Sequence, residues 1–140
     1  MKRGRSWKLL AAALFAALSL AGCSPSSDDP GDRQKVEFTV VGERELPPEL
    51  LETIEENKER RMRLTYRDGD EMYLICGYGE QKTGGYGIAV LECAEDEEAV
   101  YLTTQLRGPS SLDGLPEEPS WPYIAVKIKA SGKEVQMTDG

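Results

Sequence analysis

Apolar and polar positions alternate along most of the chain from residue 36 to residue 138, with one interruption of helical spacing. In VEFTVV, residues 36–41, Val36, Phe38 and Val40 would share one face, which predicts a strand. Pro47 and Pro48 followed by Glu49 predict a helix start, since proline fits the first turn and an acid suits its positive end. Leu50, Leu51 and Ile54 form a short apolar stripe over residues 48–58, too short to be stable without a sheet beneath it. Alternation resumes with Met62, Leu64 and Tyr66, and Asp68-Gly69 breaks it as a hairpin turn would. The next run, EMYLICGY at 71–78, has little polar content and predicts a central strand. Further strands are expected over 86–93, 100–106, 122–129 and 133–138, with Val100, Leu102 and Thr104 on one face and Ile124, Val126 and Ile128 inward.

The connections are short, whereas parallel crossovers need a dozen or more residues. The expected fold class is therefore α+β or mostly β: a mostly antiparallel sheet, small sandwich or barrel with one short helix packed on it. The longest connection, RGPSSLDGLPEEPS at 107–120, is polar and rich in Pro and Gly. Loops of that length are often functional.

The N-terminus changes the picture. Lys2, Arg3, Arg5 and Lys8 precede an uncharged, Ala- and Leu-rich run over 9–21, as in a signal peptide. The run ends Leu20-Ala21-Gly22-Cys23, which resembles the lipobox of bacterial lipoproteins. The resemblance implies cleavage before Cys23 and a diacylglycerol on its thiol. Two acyl chains at about 0.8 kcal/mol per buried CH₂ would hold the protein on a membrane, facing outside the cytoplasm. The expected organisation is a lipoprotein signal peptide at 1–22, a flexible Ser/Pro/Asp-rich tether at 23–35 and a single domain at 36–140. After cleavage, 13 basic residues would face 25 acidic ones, a net charge of −12. Such a surface repels nucleic acid and anionic lipid headgroups.

Candidate chemistry centres on GEQKTGGYGIAV at 79–90. It lacks the phosphate-loop pattern, and a strand follows it where such loops lead into a helix. Gly84 and Gly85 are expected in conformations that a side chain would obstruct, with Thr83 bonded to nearby backbone and Tyr86 starting the strand. The chain has no histidine, which removes Ser-His and Cys-His nucleophiles and most zinc geometries. Cys76 and Cys93 either pair as a disulfide, if their strand faces meet, or stay as buried free thiols. By simple alternation Cys93 shares parity with Ala89 and Leu91. Asp68 and Asp70 suit a turn, and residues 95–98 a solvated hairpin end, with too few ligands for calcium. No metal, cofactor, small-molecule substrate or catalytic group is expected. Tyr78, Tyr86, Trp121 and Tyr123 border turns or the long loop and are candidate interface anchors as well as acceptable core residues.

Gly79 to Tyr86, followed by alternating Ile88 and Val90, resembles the Gly-x-Lys-Pro-Thr-Gly-Gly-Tyr signature of the C-terminal domain of the protease complex subunit PrcB family. Pro122 to Ile128 is similar to that family's later Pro-Tyr-x-x-Val-Lys-Ile segment, and the resemblance covers roughly residues 45–130. Gln81-Lys82 stands where the family has Lys-Pro, so the turn should be less rigid. The resemblance implies a non-catalytic domain that associates with an extracellular protease, stabilising, maturing or tethering it. Lys82, Thr83, Gly84, Gly85, Tyr86, Trp121 and Tyr123 are then the candidate binding surface. The turn is more distantly similar to the Thr-Thr-Gly-Tyr loop of chagasin-like protease inhibitors. The alternative is a structural envelope lipoprotein with no protease partner. The binding reading requires the 79–86 turn, the 107–121 loop and Trp121 to lie together; the structural one expects scattered loops.

Overall fold

The computed structural model describes residues 32–140; the expected signal peptide, Cys23 and the tether up to residue 31 lie outside the described residues. The elements in chain order are β1 (Gln34–Lys35), β2 (Thr39–Val41), a 3-10 turn at Glu43–Glu45, α1 (Pro48–Asn57), β3 (Arg61–Asp68), β4 (Glu71–Tyr78), β5 (Gly87–Glu95), β6 (Ala99–Arg107), β7 (Tyr123–Lys129) and β8 (Glu134–Asp139). They form two four-stranded sheets, ordered β1-β5-β6-β8 and β2-β7-β4-β3.

The second sheet is buried on both faces. One face sends Leu74, Cys76, Ile124, Val126 and Ile128 against Cys93, Val100 and Leu102 of the other sheet. The opposite face packs Tyr73, Ile75, Met62 and Ala125 against Leu50 and Ile54 of α1. This is the expected mostly β fold with one short helix packed on a sandwich, and the central place of β4 explains its apolar sequence. The Asp68-Gly69 hairpin is present, with Gly69 in the left-handed region at φ 63°.

Three expectations are corrected. Residues 36–41 are not one strand: the chain leaves β1 in one sheet and enters β2 in the other. Val36 turns into the inter-sheet core and Val41 is buried under α1, while Phe38 and Val40 are 42% and 55% exposed. Order also begins earlier than residue 36, because Gln34 and Lys35 pair with Glu95 and Ala94. Finally, β6 and β8 pair in parallel. The crossover that short connections argue against is made by β7 itself, which visits the opposite sheet between them.

A bulge in β5 between Val90 and Glu92 resets the alternation. Cys93 therefore points inward with Ile88 and Val90 rather than sharing a face with Leu91, and joins Cys76 in the inter-sheet core. The two are buried free thiols, and Cys76 Sγ lies 3.4 Å from Met137 Sδ. Burial pushes both thiols up, that of Cys93 to about 11 with Glu92 and Glu95 adding to it. Thiolate is thus scarce at neutral pH. A polar clasp closes one side of the sandwich: Asp139 of β8 takes hydrogen bonds from Arg61 and Arg63 of β3 and from Tyr78, whose hydroxyl also meets buried Thr104 at 2.6 Å. Burial pushes the Asp139 carboxyl up, but the bonds from Arg63 and Tyr78 and the arginine charges outweigh it and hold it below its ordinary value.

An alkylating reagent should leave Cys76 and Cys93 unmodified in the folded protein and label both in denaturant without reductant, read by peptide mass spectrometry. Protection from alkylation in denaturant until a reductant is added would establish a disulfide instead.

Candidate functional site

The glycine turn is built by what surrounds it. Gly79 leaves β4 at φ 77°, where a Cβ would stand 3.3 Å from the backbone at Arg60 and Arg61. Two residues on, Gln81 forms an isolated antiparallel bridge with Ser120, through N–H to O bonds of 2.8 and 2.9 Å. Ser120 Oγ donates to the Thr83 carbonyl at 2.7 Å, and Thr83 Oγ1 donates to the Gly84 carbonyl at 3.1 Å. Gly85 sits at φ 85°, where a Cβ would fall 3.0 Å from Pro109. The Tyr86 ring covers Gly108, whose own Cβ would meet it at 3.3 Å.

The turn and the long loop therefore share one edge. Gly85 is glycine for two reasons, backbone conformation and contact with Pro109. Gly84 is not constrained in this way: it has neither a positive φ nor a neighbour within 4 Å of a built Cβ. Tyr86 is half-buried and precedes β5, which starts at Gly87. Lys82 is exposed at the tip of the turn, and Leu112, 70% exposed, stands out from the loop.

Trp121 and Tyr123 lie where the loop feeds β7. Lys58 sits 5.4 Å from the Trp121 ring centre, and the indole N–H is buried with no protein acceptor. Tyr123 packs on the α1 side of the sheet and its hydroxyl donates to Glu43 at 3.4 Å. Burial, then Glu43 and Glu55, push that hydroxyl up to about 12. Both aromatics line an open groove of about 350 Å³, completed by Val40, Val41, Gly42 and Glu43. The structure thus groups Lys82, Thr83, Gly84, Gly85 and Tyr86 with the loop, and sets Trp121 and Tyr123 beside a neighbouring groove. Tyr78 belongs instead to the Asp139 clasp.

Sequence reasoning missed Ser120, the residue that staples the turn to the loop; a serine in a Pro/Ser-rich loop carries no distinguishing signal. It also missed the groove, which Val40 helps to line. The acidic cluster serves the β5–β6 turn: Asp96 accepts from the Glu98 and Ala99 amides and from the Tyr101 hydroxyl, which lower its carboxyl. Among the described residues no group of three acids or cysteines converges in a metal-binding arrangement.

Gly85→Ala should destabilise the domain by about 1–2 kcal/mol for the left-handed backbone alone, more with the Pro109 contact. Gly84→Ala should stay within roughly 0.5 kcal/mol of the parent, as free surface positions do. Urea denaturation of the two variants checks the contrast.

No curated protein and no solved structure matches the chain. The family model described as PrcB C-terminal matches residues 72–129, a span from β4 into β7 that contains both the glycine turn and the loop docked on it, so this part of the chain is similar to PrcB C-terminal domains.

Proposed function

We propose that this is a non-catalytic protein-binding domain, held outside the cytoplasm by a lipid on Cys23, that engages an extracellular protease. The observation that carries the reading is the bridge between Gln81 and Ser120, which joins the turn and the loop into one surface. A pre-ordered pair of loops loses less freedom on binding than two independent ones. Exposed Lys82 and Leu112 give that surface a cation and an apolar contact. The similarity over 72–129 to PrcB C-terminal domains supports a protein partner in a protease-associated setting. The basic, apolar and lipobox-like order of residues 2–23 supports the location.

Photocrosslinkers placed at Lys82 and at Leu112 on intact cells should capture the same protein, a secreted protease. Lys82→Glu with Leu112→Asp should cut that capture about tenfold, as loss of an interface contact worth ~1.4 kcal/mol would, with unchanged melting temperature. A well-expressed domain that captures no protease at either position overturns the partner. The location is checked separately: protein from the membrane fraction should begin at residue 23 and carry acyl mass there, and Cys23→Ser should abolish both the acyl mass and the cleavage before residue 23.

A further inference from the structure

Among the described residues four strands lie at sheet edges, β1 and β8 in one sheet and β2 and β3 in the other. An exposed edge presents unpaired backbone groups, and proteins usually blunt it with charge, brevity or cover. Along β3, exposed Arg61, Arg63 and Arg67 blunt the edge, and two of these arginines are clasped to β8 through Asp139. The β8 strand presents exposed Glu134, Gln136 and Thr138. The two-residue β1 carries exposed Lys35 and offers still less edge than the three residues of β2.

The β2 edge differs. Its neighbourhood displays Phe38 at 42% and Val40 at 55% exposure, with no charged side chain within Thr39–Val41. It opens onto the groove of about 350 Å³ whose lining includes Val40, Trp121 and Tyr123. Glu43 lines it, exposed Glu37 and Glu45 flank β2 in the chain, and Glu55 is close enough to act on the Tyr123 hydroxyl. Against them stand Arg44, Lys58 and Lys127, the β7 partner of Thr39, but Lys58 is already paired with Glu55 at 2.7 Å and Lys127 with Glu71 at 3.1 Å.

We propose that β2 is a strand-addition site: an extended segment of a protein partner, carrying lysine or arginine between apolar residues, pairs with Thr39–Val41 and seats an apolar side chain in the groove beside Trp121. Backbone pairing supplies affinity and alternate side chains supply selectivity in this mode of recognition. Acidic surroundings select the charge. A second copy of this chain is disfavoured as the occupant, because paired β2 edges would set the same glutamates against one another in a protein of net charge −8. The proposal rests on the protein-binding reading above but uses a different surface from the turn and loop.

The test is titration of the isotope-labelled full chain with a short synthetic peptide of alternating Lys and Val, followed through backbone amide shifts. Shifts should cluster at residues 39–42 and 121–125. Val40→Lys, at an exposed position that leaves folding intact, should weaken binding by at least about tenfold, the scale of a like-charge clash. Methylating alternate peptide amides should abolish it. Absence of binding, equal binding of a Glu-Val peptide, or equal binding of the methylated peptide overturns the proposal. Shifts confined to 79–86 and 108–120 also overturn it while leaving the protein-binding reading intact. Self-association through β2 without peptide binding would make a second copy the occupant and equally overturn it.

Discussion

Everything in this domain hangs on β4 and β7 lying side by side with both faces buried. Leu74, Ile75 and Val126 have no measurable exposure, and they divide between the helix side and the inter-sheet side. Fully burying an aliphatic side chain is worth about 1.5–3 kcal/mol, so slipping this pair by one residue would reverse every such assignment at once. The register is thereby fixed, with Gly77 opposite Tyr123 and the Tyr78 amide on the Pro122 carbonyl at 3.1 Å. Because the strands are antiparallel, the end of β4 and the start of β7 come out together. The turn that leaves one and the loop that enters the other must therefore run alongside each other. The Gln81–Ser120 bridge continues the same ladder beyond the sheet. The surface assigned to binding is in this sense a consequence of the core.

How much of this could be read from residues alone depends on whether a strand keeps its alternation. The run 71–78 has no bulge and is buried on both sides, and its limits match β4 to the residue. The β5 strand has a bulge at Leu91, an extra residue that a period-two pattern cannot foresee, and so the face of Cys93 is reversed. Residues 36–41 fail for another reason. Their alternation is genuine, but the segment crosses between sheets, and a crossing is decided by distant partners such as Cys93, whose carbonyl takes the Val36 amide at 2.9 Å. The parallel β6–β8 pair was hidden similarly, since connection length counts residues and does not say that a strand of the other sheet lies among them.

The site shows the same division. A glycine in a left-handed turn leaves a local trace, and Gly85 fulfils it, yet its neighbour Gly84 carries the same letter without the constraint. Tyr78, Tyr86 and Tyr123 all border turns, but one bonds into the Asp139 clasp, one covers Gly108 and one lines the groove. Their aromatic character gives the likelihood of contact with something, not its identity. What sorts them is the long-range geometry of β4, β6 and β7.

Lys82 occupies the place of proline in the signature the turn resembles, and a turn without proline has more conformations to lose on ordering. Here the ordering comes from the other loop. Backbone bonds from Gln81 to Ser120, the Ser120 hydroxyl on Thr83 and the Tyr86 ring over Gly108 hold the turn at both ends. The restraint that proline would supply within the turn is thus moved into contacts between segments. Turn and loop become one mechanical unit: a change that loosens 107–120 loosens 79–86 with it. Substituting lysine also places a cation at an exposed tip, beside a loop that carries Asp113, Glu117 and Glu118. Opposite charges on adjoining segments of one surface favour a partner with its own charge pattern over a purely apolar one, and such complementarity governs selectivity more than affinity.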